Sequence, residues 1–108
     1  MDLVVQYDVY WVNLDPTIGR EIKKTRPCVI VSPNELNKGL GTVLVAPLTS
    51  TIKAYPFRSA CKIEGKHGAI ALDQIRCVDK IRLIKKLGEL KAKEITQLKA
   101  VLEEMLIK

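Results

Sequence analysis

The chain has 108 residues, three cysteines, a single histidine and a formal net charge of +6, which bounds it to one domain with one core. No apolar run approaches the roughly 20 residues a membrane helix needs, and the start, where Asp2 and Asp8 flank a short apolar stretch, does not read as a signal peptide. Three cysteines without C-x-x-C spacing fit neither a disulfide framework nor a zinc site, so a soluble protein of the reducing cytoplasm, with no metal and no cofactor, is expected.

Taken in chain order, most segments read as short strands. Val9 to Leu14 is rich in β-branched and aromatic residues and stops at Asp15-Pro16. Pro27 to Ser32 is a near-continuous apolar run ending at Pro33, the pattern of a strand buried on both faces. Asn34 to Lys38 reads as one helical turn. Thr42 to Pro47 is a third strand, entered at Gly41. Arg58 to Ile63 and Ala69 to Val78 complete the set, with Gly65 and Gly68 marking the turn between them. Asp79 to Leu83 reads as another helical turn. From Lys91 the period changes. Ile95, Leu98, Leu102, Met105 and Leu106 recur in steps of three and four, with Ala92 and Val101 nearby, so they share one stripe of a helix that packs on the sheet. No Ser, Thr, Asp or Asn caps its start. Short strands at regular spacing followed by one terminal helix predict a mainly β fold, a small curled sheet or barrel. A β core this small is marginal alone, which favours a dimer. All three cysteines fall in β-like runs, where a free thiol behaves as a small buried hydrophobe.

Charge is distributed unevenly. Residues 1–50 carry five Lys/Arg against five acids, so the whole excess lies in residues 51–108. A polyanionic partner and a plain solvated surface both account for it. The sharpest local feature is Arg26-Pro27, a permanent cation at the mouth of the second strand. It follows a polar loop that carries Glu21, Lys23 and Lys24. That is a good place to hold a phosphate.

The ordered blocks Asp8-Val9-Tyr10-Trp11-Val12-Asn13-Leu14-Asp15-Pro16, Gly19-Arg20-Glu21 and Thr25-Arg26-Pro27-Cys28-Val29-Ile30-Val31-Ser32-Pro33 carry a resemblance. Val45-Ala46-Pro47-Leu48-Thr49-Ser50, Tyr55-Pro56-Phe57 and Ala71-Leu72-Asp73-Gln74-Ile75-Arg76 extend it. With these blocks the chain resembles the MazF/PemK family of toxins from bacterial type II toxin–antitoxin systems, over residues 1–108 as one toxin domain. The resemblance implies a compact SH3-like barrel of about five to seven short strands with a C-terminal helix, and a homodimer. It also implies a metal-independent, sequence-specific endoribonuclease acting on single-stranded RNA, leaving 2′,3′-cyclic phosphate and 5′-hydroxyl ends. A cognate acidic antitoxin would block the RNA groove, and its release would arrest translation and growth.

Cleavage by the RNA's own 2′-hydroxyl needs a base, an acid and a stabiliser of the phosphorane's charge. Arg26 is the candidate stabiliser, and a surface ion pair with Glu21 or Asp73 is its structural alternative. Thr49 matches the family's catalytic threonine, with Ser50 beside it, although Ser and Thr at a strand end are commonly turn residues. Glu21 is either the general base or a partner that orders Arg26. The family's plasmid-encoded branch carries a histidine where Arg20 stands and an arginine where Ala71 stands. Of that set only Asp73 remains, so Asp73 and Gln74 read as base-edge or dimer contacts. His67 falls in a predicted turn where the family has no catalytic histidine, and is read as non-catalytic. Tyr55, Asn34 and Gln74 are candidate base readers, and Arg20, Lys23, Lys24 and Lys53 candidate phosphate contacts. Phe57 reads as core packing. Two other classes compete: a DNA gyrase poison of the CcdB type, which acts through an aromatic C-terminal end that this chain lacks, and a non-catalytic SH3-like RNA- or protein-binding module.

Overall fold

A computed structural model describes residues 3–16, 18–19, 21, 24–50 and 57–107. Seven strands, β1 (Asp8–Asn13), β2 (Thr25–Ile30), β3 (Thr42–Thr49), β4 (Arg58–Ile63), β5 (Lys66–Ala71), β6 (Arg76–Asp79) and β7 (Leu83–Glu89), are joined by a short helix α1 (Asn34–Gly39) and closed by helix α2 (Ala92–Leu106). The strands run in the order β4-β5-β3-β2-β1-β7, with β6 paired to the first half of β3. All pairings are antiparallel, and the sheet curls into a half-barrel.

Alternation along the central strands explains the apolar runs. Tyr10, Val12, Cys28, Ile30, Val43 and Val45 fill one side with Val78 and Leu83. Val9, Val29, Ala46, Leu48 and Ile70 fill the other, against Leu98, Ile95, Val101, Leu102 and Met105 of α2. A strand covered on both faces has no polar position to spare. Cys28, Val29 and Ile30 are accordingly solvent-free.

Several sequence expectations are corrected. The β4–β5 turn is Glu64-Gly65 alone, with φ of +50° and +77°. Two successive positive φ values and the pairing of Ile63 with Lys66 make a tight two-residue hairpin. Strand β5 therefore begins at Lys66, and His67 and Gly68 are strand residues rather than turn residues. Residues 72–74 leave the sheet as a 3-10 turn before β6. Strand β7, unread in the sequence, pairs with β1 through two register shifts. Leu106 is 66% exposed at the end of the helical stripe, and Phe57 is 37% exposed at a positive-φ turn position rather than in the core. Cys28 and Cys61 are buried as expected, but Cys77 is exposed. The missing cap of α2 is supplied from inside the helix. Glu94 accepts from the Lys91 backbone N–H at 2.9 Å and, with its other oxygen, from Lys62 on β4 at 2.8 Å.

Candidate active site

Arg26 is the second residue of β2 and Thr49 the last of β3. The β2–β3 register pairs Cys28 with Pro47. Carried two residues further, it sets Arg26 opposite Thr49, with both side chains on one face. Thr49 is in turn paired with Ala69 of β5, so a row crosses three strands. Gly68, beside Ala69, has little room for a side chain. A Cβ there would lie 3.1 Å from the Thr49 carbonyl oxygen.

These strand ends border a groove of about 500 Å³. Arg26, Thr49 and Ser50 line it. Trp11, Pro27, Leu48, Ile63 and Leu87 supply its apolar surface, and Glu64, Lys66, His67 and Lys85 its remaining polar lining. Arg26 and Thr49 are half-buried, and Ser50 is exposed. The Arg26 charge reaches into the strand it starts. Burial pushes the Cys28 thiol up to about 12, while the guanidinium groups of Arg76 and then Arg26 pull in the opposite direction.

Of the other predicted site residues, none of those described lines the groove. Glu21 is exposed on the β1–β2 connection, where its Oε1 accepts from the Ile18 backbone N–H at 3.0 Å. Lys24 holds a left-handed backbone, φ +72°, and donates its N–H to Asp15 at 2.9 Å. Asn34 opens α1 and accepts from the Gln6 N–H at 2.8 Å. Asp73 forms a two-pronged ion pair with Arg58, at 3.1 and 3.3 Å. The carboxylate suggested as an alternative Arg26 partner is thus bound to another arginine. Gln74 is half-buried in the same 3-10 turn. Arg20, Lys23, Lys53 and Tyr55 lie outside the described residues. Among the described residues no three His, Cys, Asp or Glu side chains gather as a metal-ligand set.

Sequence reasoning overlooked two kinds of residue. Lys66 and Lys85 enter the groove from the start of β5, which the sequence assigns to the turn, and from β7, which it does not mark as a strand, and His67, expected in the turn, enters beside Lys66. Arg76, which closes one of the family blocks, and Arg82, a bare charge in the sequence, have backbone partners that the sequence does not indicate. Arg76 donates to the Leu14 carbonyl at 3.0 Å, and Arg82 donates to the carbonyls of Asn13, at 3.2 Å, and Asp15. Together they clasp the root of the loop that carries Glu21. Nothing local in either stretch signals a target more than 60 positions away.

A family model described as PemK-like, MazF-like toxin of type II toxin–antitoxin system matches residues 5–106. The chain is 33% identical over 94 residues to the endoribonuclease toxin MazF of Escherichia coli K12, covering 86% of this chain and 85% of that one. Its fold matches a crystal structure of MazF from Deinococcus radiodurans with a TM-score of 0.87, at 26% identity, over the full length of both chains. A crystal structure of MazE–MazF from the same organism matches with a TM-score of 0.79, at 24% identity, over 98% of this chain and 97% of that one.

Proposed function

The chain belongs to the PemK-like, MazF-like toxin family of type II toxin–antitoxin systems, and from that membership we propose that it is an endoribonuclease that cuts single-stranded RNA at a short sequence without a metal. The observation that carries this reading is the placement of Arg26 beside Thr49 on one groove. The substrate's own 2′-hydroxyl attacks the neighbouring phosphorus, so no metal-activated water is required. The P–O5′ bond then breaks as the leaving oxygen takes up a proton from solvent or a general acid, leaving a 2′,3′-cyclic phosphate and a 5′-hydroxyl. Arg26, a planar and permanently charged fork, binds two phosphoryl oxygens and gains strength as charge builds on the phosphorane. The Thr49 hydroxyl donates to a phosphate oxygen or orients the 2′-hydroxyl. Glu21, on the connection leading into β2 and outside the groove lining, is the family pattern's candidate for the base or for ordering Arg26.

In this reading the protein works in the cytoplasm as a homodimer, and RNA cleavage arrests translation and growth. A cognate antitoxin with an acidic segment neutralises it by occupying the same cations. The MazE–MazF structure of a relative with this fold supports a partner of that kind. The test is purified protein with a long RNA in excess EDTA. Cuts at one repeated short sequence, bearing cyclic phosphate ends, are expected. Intact RNA, with gyrase inhibited or with RNA merely bound, overturns the reading.

A further inference from the structure

The groove crosses the sheet from edge to edge. Its lining follows strand order: Ile63 on β4, Lys66 on β5, Thr49 on β3, Arg26 on β2, Trp11 on β1 and Lys85 on β7. Lys66 is therefore two strands from Arg26 on one side, and Lys85 two strands from it on the other. At the usual spacing of strands each interval is about 10 Å of sheet.

The register sets both lysines on the face of Pro27 and Leu48, and at these strand ends the same groove also takes in Arg26 and Thr49 from the alternate face. Trp11 stands opposite Pro27 and also opposite Lys85, so Pro27 and Lys85 share a face. One step past Cys28↔Pro47, the β2–β3 register sets Leu48 opposite Pro27. Leu48 is paired with Ile70, and Lys66 lies four residues before Ile70 on the same strand, hence on the same face. Neither lysine has an ion-pair partner among the described residues, whereas the adjacent Lys86 is paired with Asp8 at 3.4 Å. Among the described residues the one carboxylate in the groove lining, Glu64, sits in the hairpin turn at the Lys66 end.

We propose that Lys66 and Lys85 are positioning residues, each holding one backbone phosphate on opposite flanks of the scissile phosphate at Arg26, so that the RNA strand runs across the β-strands rather than along them. This rests on the nuclease reading above. Anchors on both sides hold the central linkage against rotation, which favours in-line attack by the 2′-hydroxyl. Lysine suits the task, because a point charge on a flexible stem follows a phosphate without specifying a base.

The probe is an oligoribonucleotide bearing the cleavage sequence mapped in EDTA, made uncleavable by a single 2′-deoxy substitution at the cut. Its affinity is measured over a range of KCl concentrations for the wild type, Lys66→Gln, Lys85→Gln and, as a control, Lys93→Gln on exposed α2. Each groove variant is expected to weaken binding and to lower the salt slope by about 0.7, the value for one lost single-strand phosphate contact. The control leaves the slope unchanged. Replacing single phosphates with neutral methylphosphonates then locates each contact. The effect of Lys66→Gln vanishes when one particular phosphate on one flank is neutralised, and that of Lys85→Gln when one on the other flank is. A merely structural lysine would show no such dependence, and thermal melts confirm folding. Unchanged slopes, or both lysines mapping to the same flank, overturn the proposal while wild-type cleavage leaves the nuclease reading standing. A wild type that neither cuts nor binds RNA overturns both.

Discussion

Gly68 lies so close to Thr49 that a methyl group on it would sit 3.1 Å from the Thr49 carbonyl oxygen. That oxygen belongs to a backbone already paired with Ala69, so it yields only by moving the strand end. Gly68→Ala gains the usual entropy of replacing a strand glycine, about 0.5–1 kcal/mol, and loses a similar amount to the contact. The expected outcome is a melting temperature close to wild type with cleavage slower by about 10-fold, because small misplacements of a reacting geometry are costly. Wild-type cleavage by this variant would show that the Thr49 strand end tolerates displacement.

Arg26 is tested by two substitutions. Arg26→Ala is expected to slow cleavage by ~10²-fold or more, the scale of losing one preorganised charge donor. Arg26→Lys keeps the charge but not the two-pronged fork, and is expected to recover only part of that loss. Single-turnover rates on the mapped substrate, with circular dichroism as the folding check, read both. Equal rates for lysine and arginine would reduce the role of Arg26 to net charge.

The three thiols are expected to behave differently. Burial pushes Cys28 up to about 12, and burial, with Glu94 adding to it, pushes Cys61 up to about 12. A thiol whose pKa is higher folded than unfolded keeps its proton in the native state when the unfolded chain has released it. Its stabilising contribution is complete below the ordinary thiol range, about 8.5, and declines as pH rises toward 12. Denaturant unfolding should show stability falling across that window, less steeply in Cys28→Ala. A thiol reagent at neutral pH should label only exposed Cys77 in the native protein and all three cysteines after unfolding.

Two buried polar side chains should respond in opposite ways. Asn37 accepts from the Ser32 hydroxyl at 2.5 Å and donates to the Ser32 carbonyl at 2.9 Å, while that hydroxyl also accepts from the Leu44 N–H at 3.1 Å. Asn37→Ala leaves these groups under-satisfied and is expected to cost about 2–3 kcal/mol. The Ser59 hydroxyl is buried without a hydrogen-bond partner among the described residues. Ser59→Ala removes a desolvated oxygen, so thermal melts should show equal or higher stability.

Local chemistry determined much of this protein. The runs that became β2 and β3 are apolar because both of their faces are covered, and the three-and-four spacing of Ile95, Leu98 and Leu102 needed only α2 itself to be read. The places of Arg26 and Thr49 at strand ends were legible for a related reason: each stands in a stretch of recognisable neighbours at the end of such a run. Tertiary structure alone decided what depends on pairing between distant segments. Leu-Ile-Lys-Lys-Leu-Gly-Glu has neither strict alternation nor a continuous apolar run. It is a strand because β1 offers a free edge, which accepts it through two register shifts. That pairing brings Lys85 into the groove. The tight turn at Glu64-Gly65 does the same for Lys66 and His67 by starting β5 early. Asp73 turned to Arg58, and Arg76 and Arg82 to the carbonyls at the end of β1. A charge is visible in a sequence, but its partner is whichever opposite group the folded sheet brings within a few ångströms.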